Sequence, residues 1–156
     1  MSRRHKPAKR IPAPDPIYQS ERVAKFINRI MLCGKKGTAE KILYGALELL
    51  DGKVEEKPLQ VLMKALDKAR PLVKVKARRV GGATYQVPME VNDSDGEAIG
   101  SRWIIAYARS RNGRSMMEKL AAELLDTYRG NSATLKKRDE VHKMAEANKA
   151  FAHYRF

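Results

Sequence analysis

Four cations set the first question. Lys74, Lys76, Arg78 and Arg79 crowd onto one short run, KVKARRV, while the run after the Gly81-Gly82 pair, ATYQVPME, carries almost no charge. Ammonium and guanidinium groups at this spacing can neutralise the phosphates of a polyanion and release its counterions. The chain as a whole leans the same way. It has 32 Lys and Arg against 18 Asp and Glu, a net charge of +14 over 156 residues. Solubility needs a net charge of only about 2 to 8. Nucleic acid is therefore the first candidate partner, and an anionic membrane surface the second.

Catalytic constellations are missing. GKKGT lacks the glycine offset of a phosphate-binding P-loop, and neither GxGxxG nor HExxH occurs. The histidines at 5, 142 and 153 have no metal-ligand spacing, and NDSDGE imitates a calcium loop but places Arg102 where its last carboxylate belongs. Cys33 is the only cysteine, which excludes an intrachain disulfide and a cysteine-built metal site. It reads as a buried thiol on a helix. No apolar run reaches the ~18 residues of a membrane span. No cofactor, metal or enzymatic activity is expected.

The elements that must position the cations follow from periodicity. Residues 1–16 read as a flexible basic arm, with Arg3, Arg4, Lys6, Lys9 and Arg10 ahead of the first carboxylate and four prolines that forbid a regular helix. Residues 17–156 read as one helical domain. A first helix buries Val23, Phe26, Ile27, Ile30 and Met31 and ends at Gly34. A second runs from about Gly37 to Leu50, with Lys35 and Lys36 in the connection. A third opens at Pro58, buries Leu59, Leu62, Leu66 and Ala69, and closes at Pro71. A fourth, capped by Ser94 and Glu97, turns Ile99, Trp103, Ala106 and Tyr107 inward, with Trp103 as core. A fifth, capped by Ser115 and Glu118, buries Met116, Leu120, Ala121, Leu124, Leu125 and Tyr128 and ends at Gly130. The last begins near Ser132 with Lys136, Lys137 and Arg138, cations that oppose its dipole unless phosphates neutralise them. Arg138, His142 and Lys149 then share a stripe. Phe151, Tyr154 and Phe156 could pack or stack.

Between the third and fourth helices lies a hairpin, at about 72–91. A two-residue Gly81-Gly82 turn would set Val75 opposite Pro88 and Ala77 opposite Gln86, mixing polar and apolar residues. A three-residue Val80-Gly81-Gly82 loop, or a bulge, sorts the faces better: Val73, Val75 and Ala77 meet Met89, Val87 and Tyr85, and the cations share the other face. That register is the one expected. A strand of about eight residues reaches roughly 27 Å, enough to span a groove. The Gly-Gly tip permits close backbone approach.

The runs KARRVGGATYQVP and HKMAEANKAFAHYR, with DPIY at 15–18 and GKK at 34–36, closely resemble bacterial small-subunit ribosomal protein seven over essentially the whole chain. The resemblance implies a mostly helical fold with six helices and a protruding β-ribbon between the third and fourth. It implies a primary binder of the 16S ribosomal RNA that nucleates assembly of the subunit head in the 3′ major domain. It places the protein beside the exit-site transfer RNA and the messenger RNA path and against ribosomal protein eleven, in the ribosome of the cytoplasm or of an organelle. In many bacteria the family also represses its own operon. No membrane contact and no homo-oligomer are expected.

Ribosomal RNA contacts are expected from Arg3, Arg4 and Arg10 of the arm, from Lys35 and Lys36, and from Lys74, Lys76, Arg78 and Arg79 of the ribbon. They are also expected from Arg102, Arg109, Arg111 and Arg114 and from Lys136, Lys137, Arg138, His142 and Lys149. Arg79, Gly81, Gly82 and Tyr85 are expected near transfer or messenger RNA. The family's RW pair falls on Arg102 and Trp103. NDSDGEAIG is less basic than its counterparts, which weakens any contact there. The longer tail of some relatives is not expected. Two rivals remain: an architectural duplex-DNA binder using a basic ribbon, and an RNA-modifying enzyme, for which no nucleophile, base or metal is found.

Overall fold

The computed structural model describes residues 11–154. Six α-helices and one hairpin follow in the order α1 (Glu21–Ile30), α2 (Lys36–Glu48), α3 (Pro58–Ala69), β1 (Val73–Val80), β2 (Ala83–Glu90), α4 (Asp93–Ser110), α5 (Met116–Arg129) and α6 (Ala133–Ala147). A 3-10 helix, Lys149–Tyr154, closes the described chain. The mostly helical single domain with its ribbon between α3 and α4 is the one expected.

Helix α5 is the hub, packing against α2, α3 and α4. Its ends obey local rules. The Ser115 hydroxyl accepts from the Glu118 N–H, and Gly130 stops the helix at φ +99, a conformation that glycine adopts without cost. Leu120 and Leu124 reach the core with Phe26, Ile27, Leu43, Leu47, Leu62, Leu66 and Ile104, all 1% exposed or less. Full burial of each such side chain stabilises by about 1.5–3 kcal/mol.

Several local expectations change. Helix α1 ends at Ile30, not Gly34; Cys33 and Gly34 instead form a left-handed turn at φ +52 and +72. That turn leaves Cys33 exposed rather than buried. Helix α4 begins at Asp93 with Asn92 before it, so Ser94 is not its cap. Glu97 turns away to ion-pair with Arg22 at 2.9 Å. The buried face of α4 is Gly96, Gly100, Ser101, Ile104, Ile105 and Ala108, while Ala106 is exposed and Trp103 half-buried. Close contact sets this rotation. A methyl group on Gly100 would meet the Ala69 carbonyl oxygen at 2.8 Å, so α3 and α4 touch backbone to backbone.

The hairpin closes directly, with Val80 opposite Ala83 and Val75 opposite Pro88. The three-residue loop is therefore not adopted. Gly81 and Gly82 sit at φ +57 and +87, the double left-handed turn whose twist matches that of the flanking strands. Residues directly opposite share a face, so Lys74, Lys76 and Arg78 stand with Met89, Val87 and Tyr85. The faces are not sorted within the ribbon because β2 finds apolar partners elsewhere. Tyr85 packs on Phe151 and Tyr154, with ring centroids 5.0 and 5.4 Å away, and Val87 is fully buried. At the ribbon's base, α6 packs against both strands.

Candidate nucleic-acid interface

Side-chain partners divide the cations into two groups. Arg111 lies between Glu123, at 2.6 Å, and Asp126. Glu123 is fully buried and also accepts from the Thr134 N–H and hydroxyl, so Arg111 joins the connection after α4 to α5 and α6. Arg109 donates to the Ile30 carbonyl and satisfies an end of α1. Arg138 donates to the Lys68 carbonyl at the end of α3 and to Asp139. The Leu72 N–H donates to Nε2 of His142, which ties α6 to the base of the ribbon. These four expected RNA contacts each have an internal partner, although Arg109 stays exposed and the other three are half-buried. The sequence shows where these residues lie along the chain, but an internal hydrogen-bond partner is a property of the assembled helices.

Electrostatics support that assignment. Desolvation works against the charge of Arg22 and Arg111, yet hydrogen bonds to Asp67 and Glu97, and to Asp126 and Glu123, raise both above the ordinary guanidinium value. Arg29, for which burial dominates, is lowered. Asp15, within the stretch read as a flexible arm, is 2% exposed and accepts from the Ile17 and Tyr18 N–H groups and from the Tyr44 hydroxyl, the last at 2.6 Å. Burial, then the bond to Asp15 and its charge, hold the Tyr44 hydroxyl well above the usual phenol range. Residue 15 is thus part of the packed body. Arg3, Arg4 and Arg10 lie outside the described residues, as does Phe156.

The second group faces outward. Among the described residues, the side chains of Lys74, Lys76, Arg78 and Arg79 have no hydrogen-bond or ion-pair partner. Arg114, Lys136 and Lys149 are likewise exposed and unpaired there. Lys35 caps α2 and Lys36 opens it, both exposed at a helix end that repels cations. Lys36 reaches Glu40 at 3.7 Å and Lys137 reaches Glu140 at 3.1 Å, exposed pairs that add little stability. Arg102 is exposed and donates only to the Ala98 carbonyl of its own helix. Gly81 and Gly82 at the tip are exposed, while Tyr85 is turned into the aromatic cluster.

Two hollows gather parts of this second group. One brings Lys74 of β1, Trp103 of α4 and Lys137 of α6 to a common groove. The other places Lys36 beside residues 12–16. Among the described residues no group of three His, Cys, Asp or Glu could hold a metal ion. The arrangement can bind anions, by charge and by shape.

Residues 2–149 match the family described as Ribosomal protein S7p/S5e. The chain belongs to that family. It is similar over its full length, and over the full length of each relative, to proteins named small ribosomal subunit protein uS7. Identity is 53% with that of Geotalea uraniireducens, 52% with that of Treponema pallidum and 53% with that of Natranaerobius thermophilus. As a member of the S7p/S5e family the chain is a structural, non-enzymatic component of the bacterial ribosome in the cytoplasm. The rival RNA-modifying enzyme is thereby set aside. One feature of the interface escaped sequence reasoning: the accessibility of Trp103. A signal for it existed, since Gly96, Gly100, Ile104 and Ala108 recur every four residues and define a buried stripe that leaves Trp103 at its edge.

Proposed function

We propose that the protein binds the 16S ribosomal RNA of the small subunit in its 3′ major domain and nucleates assembly of the subunit head. The ribbon tip then lies near the exit-site transfer RNA and the messenger RNA path, and protein eleven is a neighbour. The observation that carries this reading is the set of ribbon cations, Lys74, Lys76, Arg78 and Arg79, that are unpaired among the described residues, on a hairpin that packs against α6 and the 3-10 helix. Cations without internal acceptors repel one another until an external polyanion neutralises them. Lys35, Lys36, Arg102, Arg114, Lys136, Lys137 and Lys149 extend the phosphate-binding set, and Arg3, Arg4 and Arg10 join it from the N-terminus. Arg109, Arg111, Arg138 and His142 act instead by holding the scaffold. Phosphate contacts set position, and specificity comes from RNA shape.

A salt titration tests this reading. Binding to a 3′ major domain transcript should persist at salt concentrations where a duplex DNA of equal charge has dissociated. Equal affinities with equal salt slopes would instead favour an architectural duplex-DNA binder.

A further inference from the structure

The groove between β1, α4 and α6 has features that phosphate binding alone does not require. Its volume is about 410 Å³. Trp103 forms one wall, half-buried, with its indole N–H unpaired among the described residues. Val141 and Met144 also line the groove, and Met144 is 45% exposed. Lys74, Lys137 and Gln86 line it too, and no carboxylate does, although Lys137 also reaches Glu140 at 3.1 Å just outside the lining. A groove lined by an aromatic ring, two lysines and no carboxylate fits a flat apolar ligand with anionic flanks.

We infer that this groove receives an unpaired RNA base stacked on Trp103, with the flanking phosphates held by Lys74 and Lys137. The inference rests on the RNA-binding reading and adds a ligand to one part of that surface. A paired base is shielded within its own stack, whereas an unpaired base in a loop or bulge offers both its face and its hydrogen-bonding edge. Stacking on an aromatic side chain accepts any base, and Gln86 can both donate to and accept from the exposed edge.

The chain has a single tryptophan, so its intrinsic emission reports on this groove alone. The full chain is titrated with the 3′ major domain transcript and with a fully paired RNA duplex, while a mobility shift measures binding independently. The transcript should quench Trp103 emission and shield it from acrylamide; the duplex should do neither. Trp103→Ala should weaken transcript binding roughly tenfold, and Trp103→Phe by less than about threefold, with duplex affinity unchanged. A shifted transcript with emission and acrylamide access like those of the free protein overturns the inference and leaves the RNA reading standing. Equal shielding by the duplex also overturns it. Absence of any transcript shift overturns both. The wild-type emission decides the matter even if a variant folds poorly.

Discussion

The helical body and the ribbon are both basic, but their cations do different work. In the body, Arg22, Arg29, Arg109, Arg111 and Arg138 each meet a carboxylate, hydroxyl or carbonyl of another element. In the ribbon, Lys74, Lys76, Arg78 and Arg79 meet none among the described residues. The difference shows that net charge does not mark a binding surface. Whether an acceptor lies within reach decides whether a cation braces the fold or remains available to a partner.

The comparison breaks most visibly at Arg111. Arg111→Ala leaves the fully buried Glu123 carboxyl without its guanidinium partner, and should cost about 3–5 kcal/mol in urea denaturation, with the salt slope of RNA binding unchanged. A loss under about 1 kcal/mol would show that the body does not depend on this pair. Next comes Gly100→Ala, which drives a methyl group into the Ala69 backbone and should cost about 1–3 kcal/mol. An unchanged denaturation midpoint would mean that α3 and α4 have room to separate.

Tyr44→Phe sharpens the body's side of the comparison through pH. Near neutrality it removes one bond to buried Asp15 and should cost about 1.5 kcal/mol. The folded pKa of Tyr44 lies above its unfolded value of about 10, so its contribution is fully present below that pH. As pH rises further, the unfolded chain loses the proton first and stability falls. The wild type should therefore lose stability above about pH 10 more steeply than Tyr44→Phe. A shallower decline remains, because burial also raises Tyr18. Parallel curves would contradict the assignment.

The smallest effect on stability is expected from the ribbon. Arg78→Ala with Arg79→Ala should leave the denaturation midpoint within about 0.5 kcal/mol of wild type. The slope of log affinity against log salt should nevertheless fall by about one unit for each lost phosphate contact. An unchanged slope would remove these residues from the RNA interface.

The sequence by itself determined much of this protein. Apolar residues recurring at helical spacing located α1, α2, α3 and α5, because one face of each must leave water. Pro58 and Gly130 marked a start and a stop, since one lacks the N–H that a helix start leaves unpaired and the other tolerates a left-handed φ. The basic run beside Gly81-Gly82 announced the ribbon, and the quoted motifs identified the family. All of these are local or compositional, so they survive without knowledge of the neighbours.

Tertiary structure alone decided the rest. Hairpin register depended on the double left-handed turn and on Phe151 and Tyr154, more than sixty residues downstream of Tyr85, supplying its apolar contacts. The rotation of α4 depended on how closely Gly100 approaches Ala69, and that rotation placed Trp103 beside a groove rather than in the core. The division between bracing and available cations depended on acceptors from other elements, Glu123 for Arg111, Ile30 for Arg109 and Lys68 for Arg138, and His142 was tied down by accepting from the Leu72 N–H. A charge pattern records where cations lie along the chain. Their partners exist only after packing, because acceptors from distant elements come within reach only then, and burial leaves an unmatched charge costly.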